Sequence, residues 1–171
     1  MVKSIRANII QIAKKVRHRC LLNNVDDLDV TERVVTETLR LFPSVYQLPR
    51  RATTDVAFDA YHVPKGSRML LGLPQIYRDE RSYEDPSAFK PERWASDLKA
   101  KLPDFAYAPF GGGPRLCIGR EFALLEAKLA LATIGRNYEL YWLGEDTPGP
   151  PTAPAITIRI EPNQEFLVTE R

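Results

Sequence analysis

At 171 residues the chain is long enough for one compact core of ordinary size. Hydrophobic residues make up 44% and charged residues 27%, which excludes a disordered polar chain. A net charge of +2 is too near neutrality to argue for a nucleic-acid partner, and no apolar run approaches the length that spans a bilayer.

The basic start, 1–20, has no continuous apolar core of the kind a signal peptide carries. Ile5, Ile9, Ile12 and Val16 recur at helical spacing among Lys14, Lys15, Arg17 and Arg19, so the first helix is amphipathic with a solvated cationic face. His18 and Cys20 supply at most half of a metal site. A disulfide between Cys20 and Cys117 would join distant segments; without a dense cysteine pattern, a reducing compartment is the default. After a connector over 23–27, a second helix is expected over 30–42. Asp29 is its N-cap, Glu32 completes a capping box, and Pro43 stops it. Its less polar stripe is Val30, Val34, Thr38 and Leu41. Glu37 and Arg40, three apart, can pair on a face that is not obviously polar; if buried, they need a third partner.

From 44 to 73 short runs, 55–58 and 68–71 among them, are broken by Pro49, Pro64 and Gly66 and read as strands and turns. The stretch 74–109 is irregular and proline-punctuated, and a loop of that length inside a compact domain usually carries function. A glycine turn, 111–113, leads into a helix expected over 118–137. Its polar stripe is narrow (Glu121, Lys128, Arg136), which predicts that it is mostly buried. After a proline-rich loop over 147–154, segments 155–160 and 165–169 are expected to close the chain as a hairpin around Pro162-Asn163. The fold class is α+β, mainly α, with a small β region.

The sharpest chemical signal is Phe110-Gly111-Gly112-Gly113-Pro114-Arg115-Leu116-Cys117-Ile118-Gly119. The glycines let the chain fold tightly against a flat ligand. The cysteine stands before a helix, where unpaired N–H groups and the helix dipole favour a thiolate, which is a soft metal ligand. Arg115 can pair with an anionic group of that ligand, and Phe110 can shield the sulfur from water. The loop lacks the Lys-Ser/Thr ending that phosphate cradling requires.

This loop resembles the haem-ligand signature of the cytochrome P450 family: Phe, two residues, Gly, one residue, Arg, one residue, Cys, one residue, Gly. All five fixed positions are met, by Phe110, Gly113, Arg115, Cys117 and Gly119. A chance match at a given start is on the order of one in several million at ordinary residue frequencies. Glu37-Thr38-Leu39-Arg40 resembles the family's Glu-x-x-Arg pair, and Pro91-Glu92-Arg93-Trp94 resembles its Pro-Glu-Arg-Phe motif with Trp for Phe. The resemblance implies that Arg93 is the third partner of Glu37 and Arg40. Pro49-Arg50-Arg51-Ala52 with Val63-Pro64-Lys65-Gly66 resembles the family's short-strand region, which implies that Arg50 meets a haem propionate.

The resemblance further implies haem b as cofactor, with Cys117 as the axial iron ligand that donates electron density and promotes O–O cleavage. It implies insertion of one oxygen atom from O₂ into a small organic substrate, with two electrons from a redox partner. Lys99, Lys101, Arg120 and Lys128 are candidates for a face that steers such a partner. A complete member is more than twice as long and carries an acid–alcohol pair on a distal helix. The segment 144–147, Gly-Glu-Asp-Thr, looks similar but follows the cysteine inside a loop. Residues 1–171 are thus expected to be the C-terminal portion of one such domain, inactive in isolation, with no membrane segment and a cytoplasmic or cytoplasm-facing location; an anchor in a longer parent stays open. A truncated non-catalytic remnant and a haem-thiolate isomerase or dehydratase are the alternatives.

Overall fold

A computed structural model describes residues 28–144, 152–154 and 157–170. The expected first helix, the His18 and Cys20 pair and the 145–147 part of the Gly-Glu-Asp-Thr segment lie outside the described residues.

Helix α1 (Asp29–Leu41) is the centre of the fold. Its first turn is not the expected capping box. Asp29 lies inside the helix, Leu28 flanks it with no side-chain cap, and the Glu32 N–H bonds the Leu28 carbonyl at 2.9 Å. Leu28 packs against the core formed by Leu41, Phe89 and Ala132, so burial sets this boundary. Asp29 and Glu32 still favour the positive end of the helix dipole. Of the expected stripe, Leu41 is buried and Val30 and Val34 pack against the core, but the buried face is wider. It carries Thr31, Val35, Glu37, Arg40 and Leu41, while Thr38 is exposed and returns its hydroxyl to the Val34 carbonyl. The face turns because the covering segment offers donors and carbonyls to the two charges. At the far end, the Arg78 Nη2 donates to the Leu41 carbonyl at 2.8 Å, satisfying an end-of-helix acceptor.

Four short strands follow. β1 (Gln47–Arg51) pairs antiparallel with β4 (Arg68–Gly72), with Arg50 opposite Met69. β2 (Val56–Phe58) and β3 (Tyr61–Val63) form the hairpin between them, turning at Asp59 with φ 49°. The next stretch is largely irregular but contains single helical turns: α2 (Leu73–Ile76), a 3-10 turn (Pro91–Ala95) and α3 (Leu98–Lys101). It lies across α1, burying Tyr77, Tyr83 and Phe89.

A 3-10 turn (Gly113–Arg115) precedes α4 (Arg120–Asn137), which packs on α1 through Ala132. The expectation of a mostly buried helix is wrong for α4. Ala132 is its one buried residue, and Phe122, Leu125, Leu131 and Ile134 are exposed. Apolar residues surround the helix, whereas α1 covers a single stripe. The closing hairpin is also corrected. β5 (Tyr138–Trp142) continues directly from α4 and pairs with β8 (Phe166–Glu170), while β6 (Thr152–Pro154) pairs with β7 (Ile158–Ile160). The two late strands therefore each take an earlier partner instead of pairing with one another. Among the described residues no helix is long and apolar enough to cross a membrane.

Candidate functional site

Glu37 and Arg40 are both fully buried, which demands complete pairing. Arg40 meets Glu37 with two parallel bonds, Nε to Oε2 and Nη2 to Oε1, each 2.9 Å. Its remaining N–H groups donate to the carbonyls of Tyr77 and Pro86 at 2.7 Å and Ala88 at 3.1 Å. Arg93 reaches Glu37 Oε1 from the other side at 3.1 Å and spends its Nη1 on the Glu84 carbonyl at 2.8 Å. The backbone N–H of Lys90 adds a bond to Oε1 at 2.8 Å. The structure thus brings Glu37, Arg40 and Arg93 together and ties the segment over α1 to them. Burial pushes the Glu37 carboxyl up, but Arg40, the Lys90 N–H and Trp94 together hold it below its ordinary value.

Trp94 belongs to this network, and sequence reasoning missed it. Its indole Nε1 donates to Glu37 Oε2 at 2.8 Å. The indole also lies 4.9 Å from the Tyr107 ring and edge-on to Tyr83 at 6.3 Å. The usable signal was the Trp in the Pro-Glu-Arg-Trp run, because indole carries a donor that phenyl lacks.

Three tyrosines, also unforeseen, grip the chain just before the glycine turn. Tyr83 donates its hydroxyl to the Ala106 carbonyl at 2.9 Å, Tyr107 donates to the Thr36 carbonyl on α1 at 3.0 Å, and the Ala108 N–H donates to the Tyr77 hydroxyl at 3.0 Å. Burial raises all three phenols, Tyr77 to about 12.

The cysteine loop emerges from that grip. Gly111 and Gly113 sit at φ +76° and +63°, backbone that other residues rarely adopt. The Gly111 N–H bonds the Ala108 carbonyl and the Cys117 N–H bonds the Phe110 carbonyl, each at 2.9 Å, closing the loop. Phe105, itself at φ 63°, lays its ring where a Cβ on Gly112 would fall, 2.5 Å away. Cys117 is a free, exposed thiol, flanked by exposed Leu116 and Ile118. A Cβ on Gly119 would stand 4.0 Å from its sulfur. Among the described residues the amides of Ile118 and Gly119 and the guanidinium of Arg115 make no hydrogen bond. α4 begins three residues past the cysteine. An accessible sulfur, unspent amides beside it, a free cation and an apolar rim fit a flat, anionic, iron-bearing ligand.

Other residues singled out in the sequence sit elsewhere. Arg50 is exposed on β1 and donates to the neighbouring Pro49 carbonyl at 2.9 Å; among the described residues it makes no hydrogen bond to the loop. The cations expected to share a face are partly spent in ion pairs: Lys101 on Asp97 at 2.7 Å, Arg120 on Glu121 at 3.4 Å and, between helices, Lys128 on Glu32 of α1 at 3.3 Å.

The family model described as Cytochrome P450 matches residues 2–167. The chain belongs to the cytochrome P450 family. It is 36% identical over 131 residues to cytochrome P450 3A31 of Mesocricetus auratus, covering 77% of this chain and 26% of that protein. It is 38% identical over 125 residues to cytochrome P450 4d2 of Drosophila melanogaster, covering 73% and 25% respectively. The crystal structure of the cytochrome P450DA heme domain superposes with a TM-score of 0.81 at 29% identity, covering 98% of this chain and 37% of that one. The chain therefore spans about a quarter of the length of these curated P450 relatives, and its helices and small sheets follow the P450 heme-domain fold.

Proposed function

We propose that this chain forms the thiolate side of a cytochrome P450 monooxygenase, with Cys117 as the axial ligand of haem b. The observation that carries the reading is the exposed Cys117 thiol at the end of a glycine loop that satisfies all five positions of the family's ligand signature. Bound haem supplies the oxygen chemistry, the transfer of one atom of O₂ to an organic substrate with electrons from a redox partner. The chain supplies the rest of this side. Cys117 holds the iron, and the amides of Ile118 and Gly119 are free to donate to its sulfur. Arg115 is free to pair with a propionate, a role for which Arg50 is the second candidate. Gly113 and Gly119 keep side chains off the approach. Glu37, Arg40 and Arg93 anchor the scaffold behind the loop and touch no substrate.

The test is haemin titration of the 171-residue chain, followed by reduction under carbon monoxide. The bound fraction gives the long-wavelength band of a thiolate-ligated haem, and Cys117→Ala abolishes it. An unchanged band in Cys117→Ala overturns the ligand assignment. Haem occupancy on this chain alone is expected to be substoichiometric, without coupled substrate oxidation, because the apolar faces of α4 that would help to enclose a cofactor stand open. Failure of the chain to take up any haem supports the non-catalytic remnant instead.

A further inference from the structure

We infer that Tyr77 is a positioning residue for Cys117, acting through a relay of three hydrogen bonds; the inference rests on the proposed role of Cys117 as iron ligand. The relay begins at the Tyr77 hydroxyl, which accepts the Ala108 N–H at 3.0 Å. The Ala108 carbonyl then accepts the Gly111 N–H at 2.9 Å, fixing the first glycine of the loop. The Phe110 carbonyl, between those two residues, accepts the Cys117 N–H at 2.9 Å. Ala108 carries the first two bonds on the peptides either side of its Cα, and the single Phe110–Gly111 peptide carries the second and third, so each bond restrains the backbone from which the next is made. The backbone that carries the sulfur is thereby referenced to one phenol in the segment over α1.

Tyr77 is suited to that task. It is fully buried, between the guanidinium that grips its own carbonyl and the ring of Tyr107, 5.8 Å away. Its hydroxyl makes no other hydrogen bond among the described residues, so the oxygen serves Ala108 alone. Its backbone carbonyl accepts Arg40 Nη1 at 2.7 Å, so the same residue joins the buried charge network to the cysteine loop. Tyr83 and Tyr107 hold the adjacent residues in a different sense. Tyr83 binds the Ala106 carbonyl and Tyr107 binds α1, so both moor the strand of chain before the relay without taking part in it.

Removing the Tyr77 oxygen leaves the Ala108 N–H without an acceptor and frees the first peptide of the relay. The loop then samples other conformations around Gly111 and Gly113, whose φ angles allow them. The thiol sees this as lost orientation, while the packing of the ring is retained.

The experiment compares the 171-residue chain with Tyr77→Phe, Tyr83→Phe and Cys117→Ala. Without haem, residue-resolved amide exchange is measured. Tyr77→Phe is expected to speed exchange at Ala108, Gly111 and Cys117 at least tenfold, leaving α1 and α4 as protected as before; Tyr83→Phe leaves the Cys117 amide unchanged. With haem, reduced and under carbon monoxide, Tyr77→Phe is expected to convert a large part of the thiolate band to the short-wavelength form. Unchanged exchange at Cys117 overturns the inference. Loss of protection throughout α1 also overturns it, because it assigns Tyr77 to general packing. Retention of the band in Cys117→Ala would sink the ligand assignment instead. The exchange result stands apart from that outcome.

Discussion

Around Glu37 five N–H groups from four residues converge on one carboxylate that water does not reach. Around Cys117 the thiol, its flanking side chains and two amides remain available. The first region is complete within the chain, and its geometry is held by partners up to 57 residues apart in sequence. The second is pre-shaped by its backbone alone: bonds to the Ala108 and Phe110 carbonyls close the loop, and the thiol takes no part in them. The difference separates scaffold from site. A buried charge must be matched by its own fold, whereas a group meant for a ligand must be kept unspent.

The largest effect is expected at Glu37. Glu37→Gln removes the charge but keeps the shape, stranding Arg40 and Arg93 opposite a neutral amide. Breaking a buried charge network costs about 3–5 kcal/mol, and for a domain of this size that lowers Tm by on the order of 10 °C. The pH dependence sharpens this. The folded-state pKa of Glu37 lies below its ordinary value of 4.5. Its contribution is therefore fully present above that pH and is lost as pH falls through the folded value. The Tm gap between wild type and Glu37→Gln should be constant near neutrality and narrow below pH 4.5. A gap that is small at pH 7 would mean that the network is an ordinary surface pair, and one that widens on acidification would mean that the folded-state pKa is raised instead.

The scaffold and the site were legible to different degrees, for physical reasons. The cysteine loop is local, so ten consecutive residues carried its glycines, cation and thiol together. Glu37 and Arg40 could be paired from their spacing, and Arg93 could be joined to them through the family resemblance. What periodicity missed was long-range. Nothing near Trp94 announces a carboxylate on α1, and nothing near Tyr77 announces the Ala108 amide. The same limit explains the misread elements. The capping pattern at Asp29 yielded to burial of Leu28, and β7 and β8 were matched to each other because strand pairing across distant segments leaves no local trace. Helix α4 looked buried because its composition is apolar all round, and composition does not say how many faces a neighbour covers.

A smaller effect isolates one donor. Trp94→Phe keeps an aromatic ring beside Tyr107 and Tyr83 but deletes the bond to Glu37 Oε2. A hydrogen bond to a charged group contributes about 1.5–3 kcal/mol. Because Arg40 still donates to that oxygen, the low end applies, and Tm should fall by roughly 3–6 °C. Thermal unfolding of Trp94→Phe in the Glu37→Gln background should show a much smaller loss, since the indole then faces no charge. Equal losses in both backgrounds would assign Trp94 to packing alone.

The smallest effect is expected at the most important atom. Cys117 is exposed, and its loop is closed by backbone bonds that do not involve the sulfur. Without haem, Cys117→Ala should therefore change stability by less than about 0.5 kcal/mol, as a surface substitution does. With haem the two chains should part. A ligand that binds the folded state stabilises it by RT ln(1 + [L]/Kd), so only the chain that retains the iron ligand gains in full, and the gap grows with haem concentration. Paired melting curves with and without haemin measure both terms. A haem-free Cys117→Ala that melts several degrees low would mean that the thiol is packed into the fold. The division between a satisfied scaffold and an unspent site would then fail at the residue on which it depends.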